Sequence, residues 1–212
     1  MSTATYTPAV IHAAPAAREL THVKTHAAAD GASRSGVWVG IFAITMSFAA
    51  FTSALFVREG APDDWTHLTL PAILYANTCA LLLSSFTLER ARSNFGAHPY
   101  ITIHASRNAI TWLAVTLALG LLFVAGQYEA WRDLARQGLY LATNANSSFF
   151  YVLTGMHILH LLGGIAALVY LLGQLVGSQS TFRRSAFGNT AVYWHFMGAL
   201  WLYLLLVLRT KL

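Results

Sequence analysis

The chain has 212 residues, 56% of them hydrophobic and only 10% charged, with a formal net charge of +5. A soluble domain carries about 25% charged residues, so this composition excludes an ordinary soluble globular protein. The basic residues are dispersed and form no stripe, which excludes a nucleic-acid surface. The single cysteine, Cys79, excludes an intrachain disulfide and any Cys-pair metal or haem-attachment motif.

Residues 1–35 form a polar, alanine-rich tail holding Pro8, Pro15, Arg18, Lys24, Asp30 and Arg34. It lacks the uninterrupted apolar core of a signal peptide, so insertion is expected through the first membrane helix with the tail left uncleaved. A short surface helix around 13–23 and disorder suit this composition equally. Five apolar stretches follow, at 36–57, 68–88, 107–126, 149–173 and 189–208. Each is close to the roughly 20 residues that cross a hydrocarbon core. The breaks carry turn formers and charge: Gly60, Pro62, Asp63 and Asp64, then Arg90, Arg92, Gly96 and Pro99, then the polar loop 127–148, then Arg183 and Arg184. The expectation is an all-α membrane protein. Residues 36–212 form a bundle of five transmembrane helices, antiparallel in sequence order because the connections are short.

Lys and Arg orient such a bundle. With the amino terminus inside, Arg18, Lys24, Arg34, Arg90, Arg92, Arg107, Arg183 and Arg184 are inner, and Arg58, Arg132, Arg136, Arg209 and Lys211 are outer. This bias sets the amino terminus inside. Arg90, Arg107, Arg183 and Arg184 cluster at the inner interface. There they serve as lipid head-group contacts or as topology signals alone.

The spans hold no Asp or Glu in their interiors, but they do hold His157, His160 and His195. An ionisable residue at membrane depth is a functional candidate by default. His157 and His160 share one helical face, and the depth of His195 allows it to meet His160. One reading is a metal or haem site, since imidazole suits copper, zinc and iron. No carboxylate stands inside the spans to support it. The simpler reading is structural, with neutral imidazoles bonded to Tyr193, Thr154, Trp194 or backbone carbonyls. Gly155, Gly163 and Gly164 on the fourth span, and Ser47, Ala50 and Ser53 on the first, are expected to permit close helix packing. Cys79 is expected as a small packing residue. Trp38, Trp65, Trp112, Trp131 and Trp201 are expected mostly as interface anchors.

The last two spans carry a signature. Residues 147–164 read SSFFYVLTGMHILHLLGG and residues 192–203 read VYWHFMGALWLY. They resemble the last two helices of subunit III of haem-copper oxidases. That family's pattern is S-x-F-[FY]-x-x-T-G-x-H-x-x-H-x-x-x-G, followed by Y-W-H-F and then a Trp. GVWVGIFAITMSFAAF, LYANTCALLLSSFTLERAR and LFVAGQYEAW resemble the three earlier helices of the five-helix bacterial form. The resemblance spans residues 36–208, and its motif positions here are Gln127, Gly155, His157, His160, Gly164, Tyr193, Trp194, His195 and Trp201.

The resemblance implies an accessory subunit of a proton-pumping terminal oxidase in the bacterial plasma membrane. Such a subunit packs directly on the catalytic subunit I, neighbours subunit II and holds structural phospholipid. It binds no haem or copper itself, both being expected in partner subunits. A quinol oxidase subunit, or the related accessory protein of a nitric oxide reductase, has the same resemblance. An independent membrane protein using the three histidines for metal or haem is the alternative of a different class. The chain departs from the family where many members carry intramembrane carboxylates, at Thr45, Ala130 and Gly198. None of these residues ionises, so the chain is expected to offer no proton pathway of its own. Treatment with a membrane-permeant carbodiimide should therefore leave no adduct inside any of the five apolar stretches. An adduct mapped within one of them would overturn the expectation.

Overall fold

The computed structural model describes residues 14–60, 70–96, 103–177 and 184–211, with side chains described over 34–60, 70–94, 107–177 and 186–211. Five α-helices make up the fold: α1 Ala14–Glu59, α2 Ile73–Gly96, α3 Ile103–Arg136, α4 Ala145–Val176 and α5 Arg184–Lys211. Four of them contain segments long and apolar enough to cross a membrane: Arg34–Glu59, Arg107–Arg136, Ala145–Val176 and Ala186–Lys211. α2 is the exception. Its 24 residues give about 36 Å at 1.5 Å per residue, ample length. Its composition, with Asn77, Thr78, Ser84, Ser85, Thr87, Glu89, Arg90 and Arg92, lowers its hydropathy.

Two boundaries differ from the sequence expectation. The tail from Ala14 onward is not separate: it continues into the first span as one helix of 46 residues. Pro15 sits in its first turn, where a missing N–H costs nothing, and no proline interrupts the run from there to Glu59. Alanine, abundant here, is the best helix former. Likewise, Gln127–Arg136 is not loop but the last turns of α3. There Gln127, Ala130 and Leu134 keep one face buried. On the exposed side Arg132 pairs with Glu129 at 3.1 Å and Arg136 with Asp133 at 2.8 Å. α3 ends where Gly138 takes a φ of 78°, with Leu139 N–H bonded to the Leu134 carbonyl and Gly138 N–H to that of Ala135, each at 3.0 Å. This left-handed position is the one that suits glycine. α4 then opens on a capping box, with Asn144 Oδ1 accepting from Ser147 N–H at 2.8 Å.

Cross-helix contacts give the topology. Thr87–Thr116 and Trp131–Thr154 join α2 to α3 and α3 to α4. Tyr193–His160 joins α4 to α5, and Trp194–Ser84 and Trp201–Thr78 join α5 to α2. Numbers rise on one helix as they fall on the other from α2 to α3, α3 to α4 and α4 to α5, so these helices run up and down. α1 and α5 run parallel, with Tyr203–Thr52 and Lys211–Glu59 in the same order. α5 packs against α1, α2 and α4 and meets α3 through Trp194 and Trp201, whereas the backbone of α1 approaches only α4 and α5 among the described residues.

The core follows these faces. α1 buries Ile41, Ile44, Phe48, Thr52 and Leu55, a helical stripe of period near 3.6. Ser47, Ala50 and Ser53 lie on the opposite, exposed side, so they do not mediate packing within the chain. Cys79 is exposed as well and is not a packing residue. Trp201, expected at an interface, is fully buried, while Trp38 is exposed and Trp65 lies outside the described residues.

Glycines set the closest approaches. A Cβ on Gly120 would stand 2.8 Å from Cη2 of Trp194, and one on Gly164 would stand 3.1 Å from its Cε3. The Trp194 indole is thus held between α3 and α4 in a slot that only glycines leave open. Gly120→Val should lower stability by about 1–3 kcal/mol through overpacking, read as a drop in thermal midpoint in detergent. Gly173→Ala, where nothing stands within 4 Å, should leave the midpoint unchanged or slightly raised. Equal effects of the two would refute the slot.

Candidate functional site

The polar residues of the motif segments lie inside the bundle and cross-link it. Trp194, fully buried, donates its indole N–H to Ser84 Oγ on α2 at 3.0 Å, and Ser84 in turn donates to the Leu81 carbonyl at 2.6 Å. About two turns further along α5, Trp201 Nε1–H donates to Thr78 Oγ1 at 3.0 Å. Trp131 Nε1–H donates to Thr154 Oγ1 on α4 at 3.0 Å, and Thr154 donates to the Phe150 carbonyl at 2.6 Å. The Tyr151 hydroxyl lies between the carbonyls of Trp131 and Leu139, at 3.1 and 3.0 Å. The three indole bonds share one pattern. A hydroxyl that back-bonds to its own helix turns a lone pair outward, and an aromatic N–H from a neighbouring helix takes it.

The three histidines part company. His157 is fully buried on α4, with its ring 5.1 Å from that of Trp201 and 5.8 Å, edge on, from that of Phe123. Both ring nitrogens make no hydrogen bond to any described residue. His160 turns toward α1, its ring 5.8 Å from that of Phe48, and its Nδ1–H donates to the Met156 carbonyl at 2.7 Å. A carbonyl only accepts, so Nδ1 carries the proton. Tyr193 donates its hydroxyl to the His160 carbonyl at 2.8 Å, not to the imidazole. His195 does not meet His160. It faces α2, with Nε2 3.8 Å from Oε2 of Glu89 and its side chain 41% exposed. A carboxylate therefore does stand beside one histidine, supplied by the last turns of α2 that the apolar stretch left out. Among the described residues no three His, Cys, Asp or Glu side chains converge as a metal site would require.

The other motif positions are structural in geometry. Gly155 faces the Trp131 ring, and Gly164 faces Trp194 and Tyr193. Gln127 is fully buried, and neither polar atom of its amide has a partner among the described residues. The positions lacking a carboxylate differ in setting: Ala130 is buried, Thr45 is exposed and bonds back to the Ile41 carbonyl at 2.8 Å, and Gly198 faces Ser85. Arg90 and Arg107 are both exposed at the same end, where α2 ends and α3 begins. Arg90 lies over the Phe86 ring at 4.9 Å. Arg183 and the Arg184 side chain lie outside the described residues.

Sequence reading missed two features. Asn77 is nearly fully buried against α3: a Cβ on Gly126 would stand 2.0 Å from its Oδ1. The signal was present, since an Asn within an apolar run that faces a Gly on the next span marks a close approach. An apolar groove of about 390 Å³ also opens between α1 and α4, lined by Phe51, Arg58, Ala145, Ser148, Phe149 and Val152. It needs both helices and leaves no trace in either sequence alone.

An up-and-down bundle of long apolar helices, cross-linked inside by hydroxyl–indole bonds and coated with apolar side chains, defines a multi-pass membrane protein. The family model for cytochrome c oxidase subunit III matches residues 18–210. The chain is 33% identical over 163 residues to a probable cytochrome c oxidase subunit 3 of Nocardia farcinica, covering 74% of this chain and 77% of that one. It is 30% identical over 179 residues to cytochrome c oxidase subunit 3 of Synechocystis, covering 82% and 70%. It is also 30% identical over 195 residues to a cytochrome bo(3) ubiquinol oxidase subunit 3 of Pseudomonas aeruginosa, covering 88% of each chain. The chain belongs to the cytochrome c oxidase subunit III family.

The indole–hydroxyl bonds are open to a double-mutant cycle with Trp194→Phe and Ser84→Ala, followed by unfolding of the purified protein. The expected coupling is about 0.6–1.7 kcal/mol, the range of interhelical hydrogen bonds in membranes. Losses additive within about 0.3 kcal/mol would show that the bond contributes nothing.

Proposed function

We propose that this chain is a non-catalytic accessory subunit of a proton-pumping haem-copper terminal oxidase that takes electrons from cytochrome c. It sits in a bacterial plasma membrane with its amino terminus inside and packs against the catalytic subunit I. The observation that carries the reading is family membership over nearly the whole chain, joined to the dispersal of its intramembrane histidines. His157, His160 and His195 face three different neighbours. A redox metal centre needs its ligands to converge; haem and copper accordingly belong to the partner subunits.

α2 crosses the membrane with the other four helices. The residues that depress its hydropathy are turned inward: Asn77, Ser84 and Thr87 are buried, and Thr87 shares a 2.8 Å hydroxyl bond with Thr116 of α3. Lipid meets Leu82, Leu83 and Phe86 instead, which are exposed. Phospholipid is held at the inner end by Arg90 and Arg107, whose cationic groups attract anionic head groups. The groove between α1 and α4, with Arg58 at one end, accepts an acyl chain at the outer side. The outward stripe of Ser47, Ala50 and Ser53 leaves α1 a smooth face for a partner helix.

The relative named as a ubiquinol oxidase subunit favours a second reading, the same role in a quinol oxidase. One preparation tests both. Purified from native membranes in mild detergent, the chain should co-migrate with a haem-containing subunit, and the assembly should oxidise reduced cytochrome c rather than quinol. His160→Leu should weaken retention of the chain and leave the haem spectrum unchanged. Isolation of the chain as a monodisperse protein without a haem partner would overturn the proposal. Quinol oxidation without cytochrome c oxidation would replace the donor.

A further inference from the structure

We infer that ordered water is bound inside the bundle, bridging the side chains of Asn77, Gln127 and His157. The three belong to α2, α3 and α4, and the helix register brings them to one level. Trp131–Thr154 and Phe123–His157 are successive contacts between α3 and α4. Gln127 lies between Phe123 and Trp131 on α3, so it stands opposite 154–157. Asn77 packs against Gly126, the residue next to Gln127. Trp201 closes the layer from α5, with its ring 5.1 Å from His157 and its N–H on Thr78, next to Asn77.

Every one of these side chains is buried, with Gln127 and His157 fully so. Asn77 Nδ2, Gln127 Nε2 and Oε1, and both ring nitrogens of His157 make no hydrogen bond to any described residue. Buried polar atoms in native proteins are paired, and more stringently so where hydrocarbon replaces water outside. None of these five atoms is bonded to another of them, although each is a strong donor or acceptor. Water, with two donors and two lone pairs, serves both kinds at once. It accepts from two amide N–H groups and donates to the imidazole and to the Gln127 carbonyl, which is the partner set of buried structural waters. The ligand is therefore solvent, held within the bundle.

The test uses the assembly as isolated from native membranes, placed in lipid nanodiscs and imaged to a resolution that shows bound solvent. The expected result is a solvent peak within about 3.2 Å of polar atoms from at least two of the three side chains. Solvent resolved elsewhere in the chain, with the three side chains bonded only to one another or to protein groups, would overturn the inference. Radiolytic footprinting of the same sample gives a second reading, since bound water is the source of hydroxyl radical in a buried site. Phe123 touches the layer and Phe48 does not, and both are buried. Phe123 should be oxidised several-fold faster than Phe48; equal rates would overturn the inference. Neither outcome depends on which oxidase the chain serves.

Discussion

The rest of the bundle is organised around the burial of one indole. Trp194 is too large to lie between helices at ordinary spacing. It fits because Gly120 and Gly164 remove a side chain on either side and because Ser84 accepts its N–H. Those partners come from α3, α4 and α2, so one residue of α5 fixes the position of three other helices. In lipid there is little hydrophobic force between helices. Close packing and the satisfied N–H must supply the specificity that water-driven burial gives a soluble core. An unsatisfied indole here would cost far more than the bond gains.

The same logic explains why α2 has the composition of a half-soluble helix. Its serines and threonines are the acceptors for the tryptophans of α5 and the hydroxyl partner for α3. Removing them would raise the hydropathy of α2 and leave Trp194 and Trp201 without acceptors. The polar content that weakens α2 as a membrane span on its own is what ties it to α3 and α5.

Much of this was legible in the sequence, and the misses have physical causes. Apolar run length located all five helices, and the Gly163–Gly164 pair and the aromatic Tyr193–Trp194 pair marked the α4–α5 contact. Run length erred at helix ends. α3 continues beyond its apolar run on i,i+3 ion pairs and a buried face of period 3.6, neither of which raises hydropathy. The histidines were read by depth, and depth was a poor guide because it says nothing of rotation about the helix axis. A single turn of helix points His157 at α3 and α5 but His160 at α1. His195 faces Glu89, a residue beyond the apolar stretch of α2. Ser47, Ala50 and Ser53 were misassigned for the same reason: small residues mark a face that can be approached, not the helix that approaches it.

The connectivity has a consequence for synthesis. α1 is made before the other four described helices, yet its backbone does not approach α2 or α3 among the described residues; the helices it packs on are α4 and α5. The hairpin of α2 and α3 can close as soon as it is inserted. α1 gains its first partner only with α4 and the larger one with α5. One of its ties, Lys211 to Glu59 at 3.0 Å, reaches the last turn of α5. A nascent chain stalled before α5 would thus hold a paired hairpin and an α1 still lacking α5, and insertion of α5 is the step that gathers them.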